Sequence, residues 1–118
     1  MVYMMTNYIE YHQHLEEGLA RLGQDLPGPM SGFARLHRKS IEDGALSRKV
    51  KEMMAVAISI VVGCEGCIAY HVHDAVEAGA TRTELLEAVS VGLMMGGGPG
   101  SIYATHALEA IDQFLPKE

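Results

Sequence analysis

The chain has 118 residues, 48% of them apolar and 20% charged, with a formal net charge of −6. That length and composition fit one globular domain with one modest core, spanning residues 1–118, and exclude a disordered chain. The acidic balance leaves only one short mixed basic run, Arg35-Leu36-His37-Arg38-Lys39, so nucleic acid is not an expected partner.

Helical periodicity runs through the chain. Tyr8, Tyr11, Leu15, Leu19 and Leu22 recur at three- and four-residue steps and form an apolar stripe. Asn7 with Glu10 reads as a capping box at its start, and Gly23 as its end. Pro27-Gly28-Pro29 reads as a break. Ser31 then opens a second helix through Phe33, Leu36 and Ile41, closing near Gly44. Ser47 opens a third, carrying Val50, Met53, Met54, Ala57, Ile58 and Val61 towards Gly63. Its β-branched end, Ile58 to Val62, is continuous with a helix-favouring segment and is assigned to a buried helix.

The fourth helix runs from Cys64 to Ala78, with Gly79 as its stop. Thr81 and Glu84 fit a second capping box, opening a helix through Leu85, Leu86, Val89 and Leu93. Gly96-Gly97-Gly98-Pro99-Gly100 ends it. Pro99 suits the first turn of a last helix that stops before Pro116. The expectation is an all-α fold of about six helices. Met53 to Gly63 falls short of the ~20 apolar residues that span a bilayer, and the N-terminus lacks a signal-peptide pattern. A cytoplasmic protein with no membrane association is expected.

Only two cysteines occur, three residues apart. A secreted disulfide framework would use more, and in a reducing cytosol a CxxC pair serves catalysis or metal binding. Cys64, Cys67 and His71 stand at i, i+3 and i+7, on one helical face. The free N–H groups and dipole at a helix start favour a thiolate, and His71 is placed to relay a proton. Together they supply a nucleophile, a resolving thiol and a proton carrier.

Glu52 lies about three turns before the Gly63 corner, and His71 about two turns beyond it. If the third and fourth helices pack antiparallel, the two share a pocket, where a buried carboxyl has a raised pKa and acts as a base. Taken singly, Glu52 reads as a solvated charge and His71 as a structural histidine; the combination carries the redox reading. Zinc on the same thiols stays open, with His106 or Glu52 as fourth ligand. Gly96–Gly100 lacks the Gly-Lys-Ser/Thr ending of a phosphate loop and reads as a tight turn. His12 and His14 read as solvated, the Met53-Met54 and Met94-Met95 pairs as core or interface filler, Tyr70 and His73 as flanking wall positions, and His106 as structural.

Glu52, the segment Cys64-Glu65-Gly66-Cys67-Ile68-Ala69-Tyr70-His71, its continuation Ala75-Val76-Glu77-Ala78-Gly79-Ala80-Thr81 and Glu84-Leu85-Leu86-Glu87-Ala88, and Gly96-Gly97-Gly98-Pro99 resemble the alkylhydroperoxidase D-like branch of the carboxymuconolactone decarboxylase family. The resemblance covers roughly residues 30–115 and implies an all-helical, obligate homo-oligomer, trimeric or hexameric. It also implies a thiol peroxidase or disulfide oxidoreductase of antioxidant type. Cys67 would attack a hydroperoxide, Cys64 would resolve the sulfenic acid, His71 would relay the proton and Glu52 would act as base. No cofactor beyond the redox-active Cys64–Cys67 disulfide is implied. A dithiol donor, such as a lipoyl-bearing protein, would reduce that disulfide. Peroxidase members often carry a histidine immediately before the second cysteine; here Gly66 stands there, and Glu65 adds negative charge that opposes thiolate formation. The alternative is a non-redox or metal-binding member that holds a small molecule in the oligomer pocket.

Overall fold

The structure is a computed structural model that describes residues 5–115. Five helices follow one another: α1 (Tyr8–Asp25), α2 (Pro27–Ile41), α3 (Arg48–Val62), α4 (Glu65–Glu77) and α5 (Arg82–Phe114), and no strand occurs among the described residues. The all-α expectation holds, with local differences that have physical causes.

The α1 helix runs past Gly23 to Asp25, and α2 starts at Pro27 instead of Ser31. Proline is well suited to the first helical turn, where its missing N–H costs nothing, so the expected break is a helix start. The two last helices form one run, α5, interrupted at Gly97 with φ 63° and ψ −144°. Only glycine adopts that backbone region readily. Pro99 follows in the first turn of the second half, so the expected count of six is recovered if α5 is divided there.

Side-chain caps start four of the helices. Asn7, Ser47 and Cys64 each accept the N–H three residues on, and Thr81 with Glu84 makes a reciprocal box. The core joins α3, α4 and α5 with the first turn of α1: Tyr8, Val56, Ile60, Ile68, Val72, Leu85, Ala107 and Ile111 are fully or almost fully buried. Gln113 clamps the chain start onto the end of α5, accepting Tyr8 N–H at 2.6 Å and donating to the Thr6 carbonyl at 3.0 Å.

Two expectations about stripes change. Along α1 only the N-terminal half reaches the core; Leu19 and Leu22 are exposed. On α3 the buried face is Glu52, Val56, Ser59 and Ile60, while Val50, Met54, Ile58 and Val61 face outward. This helix is apolar almost all round, so hydrophobicity alone does not select the inward face. The α2 helix has no buried residue; its backbone packs against α1 and α3, and its His37 ring reaches Tyr70 and His71 of α4.

Candidate functional site

Glu52, Val56, Ser59 and Ile60 follow the helical repeat, so the carboxyl enters the core on the same face as two aliphatic side chains. Gly63, in the left-handed region at φ 75°, turns the chain, and Cys64 becomes the N-cap of α4. The returning helix brings His71 against Glu52: His71 Nδ1 lies 2.9 Å from Glu52 Oε1. Glu52 is 1% exposed, whereas the His71 side chain keeps an open edge. With the proton on Nδ1, the imidazole donates to the carboxylate and its Nε2 is left to accept.

Cys64 and Cys67 are joined as a disulfide, with Cα atoms 5.2 Å apart, and Cys64 Sγ also accepts the Cys67 N–H at 3.1 Å. Cys67 thus sits in the first turn of α4, one turn before His71. Cys64, Cys67, Tyr70 and His71 all border one apolar cleft of about 810 Å³, roofed by Leu15 and Leu19 of α1 and by Met30, Phe33 and Arg38 of α2. Of the sequence candidates, Cys64, Cys67, His71 and Tyr70 border this cleft, and Glu52 is buried behind His71. His106 does not: its Nδ1 lies 3.6 Å from Glu65 Oε1, away from the thiol–Glu52 pair. With Cys64 and Cys67 joined as a disulfide the sulfurs offer no thiolate ligand, and Glu52 is engaged by His71.

Glu65 and Gly66 have a structural explanation. The Tyr8 hydroxyl donates to Glu65 Oε1 at 2.8 Å, holding the carboxylate between α1 and His106. Burial, and then this bond, push the Tyr8 phenol well above its usual pKa. At Gly66, a Cβ would stand 3.2 Å from Tyr11 Oη and 3.6 Å from Leu15. A side chain here would require the Tyr11 hydroxyl of α1 to give way by a few tenths of an ångström.

Two histidines were not among the expected site residues. His37 on α2 borders the cleft, its ring 6.3 Å from that of His71. Its buried Nε2 has no hydrogen-bond partner, and one donor atom each from His37, Glu52 and Asp74 fall within 4.8 Å of one another. In the sequence it appears only inside a short basic run. His12, read as solvated, is 5% exposed and stacks on His73 at 3.8 Å. Burial, and then His73, lower its pKa. The signal was present: His12 is four residues after Tyr8 and adjoins Tyr11, so it falls within the inward arc. Tyr70 separates the two groups, its ring 5.6 Å from His12 and 5.7 Å from His71. Its phenol pKa is raised by burial and then by Asp74, Glu16 and Glu52.

The chain resembles a curated uncharacterised protein of Cupriavidus necator, 41% identical over 91 residues, covering 77% of this chain and 80% of that one. It is 36% identical over 81 residues to uncharacterised protein 4 in the cox locus of Paracoccus denitrificans, covering 69% and 73% respectively. Among solved structures, a carboxymuconolactone decarboxylase family protein from Legionella pneumophila superimposes with a TM-score of 0.86 at 38% identity, over 91% of this chain and 96% of its own. A Thermotoga maritima protein of that family, described with a possible involvement in antioxidative response, superimposes with a TM-score of 0.74 at 27% identity, over 92% and 89%. The sequence profile of the family itself matches residues 27–110, and the chain belongs to the carboxymuconolactone decarboxylase family.

Proposed function

We propose that the protein is a thiol-dependent peroxidase or disulfide oxidoreductase that cycles through the Cys64–Cys67 disulfide. The observation that carries the reading is the buried Glu52–His71 pair at 2.9 Å beside a CxxC on the wall of an apolar cleft. A carboxylate that fixes an imidazole, which in turn faces a nucleophile, is the arrangement that activates a thiol.

In the proposed cycle Cys67 thiolate attacks the terminal peroxide oxygen. The S–O bond forms, the O–O bond breaks, and the leaving alkoxide takes a proton delivered through His71. Cys67 is then a sulfenic acid. Cys64 thiol attacks the Cys67 sulfur, giving the disulfide and water. A dithiol donor, of which a lipoyl-bearing protein is one kind, reduces the disulfide and is itself oxidised. Glu52 orients His71 and stabilises the imidazolium that forms when His71 holds the proton. The pair sits at the start of α4, where Cys64 Sγ, as N-cap, accepts the Cys67 N–H and the helix dipole favours negative charge. Glu65 accepts the Tyr8 hydroxyl at 2.8 Å.

The working unit in this reading is a homo-oligomer, a trimer or hexamer. Ile58, Val61 and Val62 of α3 and Met94 and Met95 of α5 leave an apolar face on the outside, of the kind that subunit contacts cover. No helix among the described residues is long and apolar enough to cross a membrane, and residence in the cytoplasm is part of the proposal.

The test is a count of free thiols in reduced protein before and after one equivalent of an organic hydroperoxide. Two thiols falling to zero, and returning with a dithiol, support the cycle. Thiols untouched by peroxide, in a protein that binds an apolar probe in the cleft, would favour the non-redox reading.

A further inference from the structure

A second cleft of about 480 Å³ is bordered by α1, α4 and the end of α5, and shares no lining residue with the first. It is polar where the first is apolar. His12, Glu16, His73, Asp74, Glu77 and Gln113 border it. Elements distant in sequence build it, since α1 supplies His12 and Glu16 while α4 supplies His73, Asp74 and Glu77.

We propose that His12, His73 and Asp74 bind a divalent transition-metal ion, at a site independent of the cysteines. One donor atom from each residue lies within 4.8 Å of the others. His12 is 5% exposed, and its buried Nε2 has no hydrogen-bond partner. The nearest anion is Glu16 Oε1 at 3.7 Å, beyond hydrogen-bonding range. A buried imidazole nitrogen left without a partner is costly, and native structures seldom tolerate one without a reason. A metal ion satisfies that nitrogen directly.

The donor set indicates the class of ion. Two imidazoles and a carboxylate suit zinc, cobalt, nickel or ferrous iron better than calcium or magnesium, which take oxygen ligands. Three protein donors leave a position for water, or for Glu16 or Glu77 on the rim. Donors bound at ~2.1 Å in a tetrahedral shell stand about 3.4 Å apart. His73 and Asp74 are both partly exposed, and binding in such a shell requires the His73 ring to turn out of its stack on His12. The hydrogen bond they now share, His73 Nδ1 to Asp74 Oδ1 at 2.9 Å, is either exchanged for the ion or kept to orient a ring that ligates through Nε2.

The test uses the full chain with its thiols oxidised to the disulfide, freed of chelator and titrated with Zn²⁺ and Co²⁺. Calorimetry and Co²⁺ absorption are expected to report one ion per chain. The partly exposed positions give the cleanest variants, because the buried His12 also supports packing. H73A and D74N are each expected to weaken binding by at least about tenfold while the fold, followed by circular dichroism, is unchanged. H12Q, which keeps most of the volume, is expected to do the same. The C64S/C67S double variant is expected to bind as the wild type does. No stoichiometric binding by the wild type would overturn the proposal. So would binding that survives H73A and D74N, or that disappears in C64S/C67S.

Discussion

His71 and His73 stand two residues apart on α4 and face different partners. His71 meets a buried carboxyl from α3, beside an apolar cleft that holds the disulfide. His73 meets His12 from α1 and Asp74 from its own helix, beside a polar cleft. One helix therefore contributes to both an imidazole–carboxylate pair and a ligand-like donor set, with Asp74 close to Glu52 as well as to His73. Tyr70 lies between them with its ring close to both. The difference lies in what the neighbouring helix supplies, since the residue type and the helix are the same.

Substitutions that disable one side and spare the other sharpen this contrast. The largest effect is expected from C67S, which removes the attacking thiol and reduces peroxide consumption to background in a coupled dithiol assay. C64S is expected to stop turnover but still consume one equivalent of peroxide, leaving Cys67 as sulfenic acid. Next comes E52Q, which keeps the shape but not the charge. A loss of roughly 10²-fold in peroxide turnover is expected, the scale of general acid–base assistance. H73A is expected to leave that rate unchanged. An equal loss in H73A would erase the distinction between the two sites.

Smaller effects concern the packing that supports the thiol helix. G66H places a side chain against Tyr11 and Leu15 and is expected to cost about 2 kcal/mol in denaturant unfolding, the scale of overpacking. Y8F removes the hydroxyl bond to Glu65 and is expected to cost about 1 kcal/mol. Its pH dependence has a definite sign. The Tyr8 phenol has its pKa raised on folding, so the folded chain holds that proton more tightly than the unfolded one. The stabilisation is complete below the ordinary tyrosine pKa of 10.0 and declines as pH rises beyond it. Unfolding curves are expected to show that alkaline decline in the wild type and a weaker one in Y8F. Equal declines would remove Tyr8 as the cause.

Much of the fold was legible in the sequence because its signals are local. Asn7, Ser47 and Thr81 cap the helices they were expected to open, and Gly63 turns the chain where expected. The Cys64–Cys67–His71 face follows from helical spacing alone, and Glu52 was within reach because only one corner separates it from His71. Other features depended on contacts between distant elements. The inward face of α3 is selected by its packing on α5 and α4, and its apolar outer stripe gives no warning of that choice. His37 joins the cleft only because α2 folds over α4's neighbour α3, and no local pattern marks it. His12 was misread because a polar residue on an inward arc was assigned by its type instead of its position. The reason for Gly66 is also tertiary, since Tyr11 fills the space beside it.

The central claim is that Cys67 is the thiol that meets peroxide. Its most direct test is mass spectrometry of C64S after one equivalent of an organic hydroperoxide in the presence of a dimedone-type trap. A single adduct on Cys67, slowed in the C64S/E52Q variant, is the predicted result. An unlabelled Cys67 with the peroxide still intact would contradict the account.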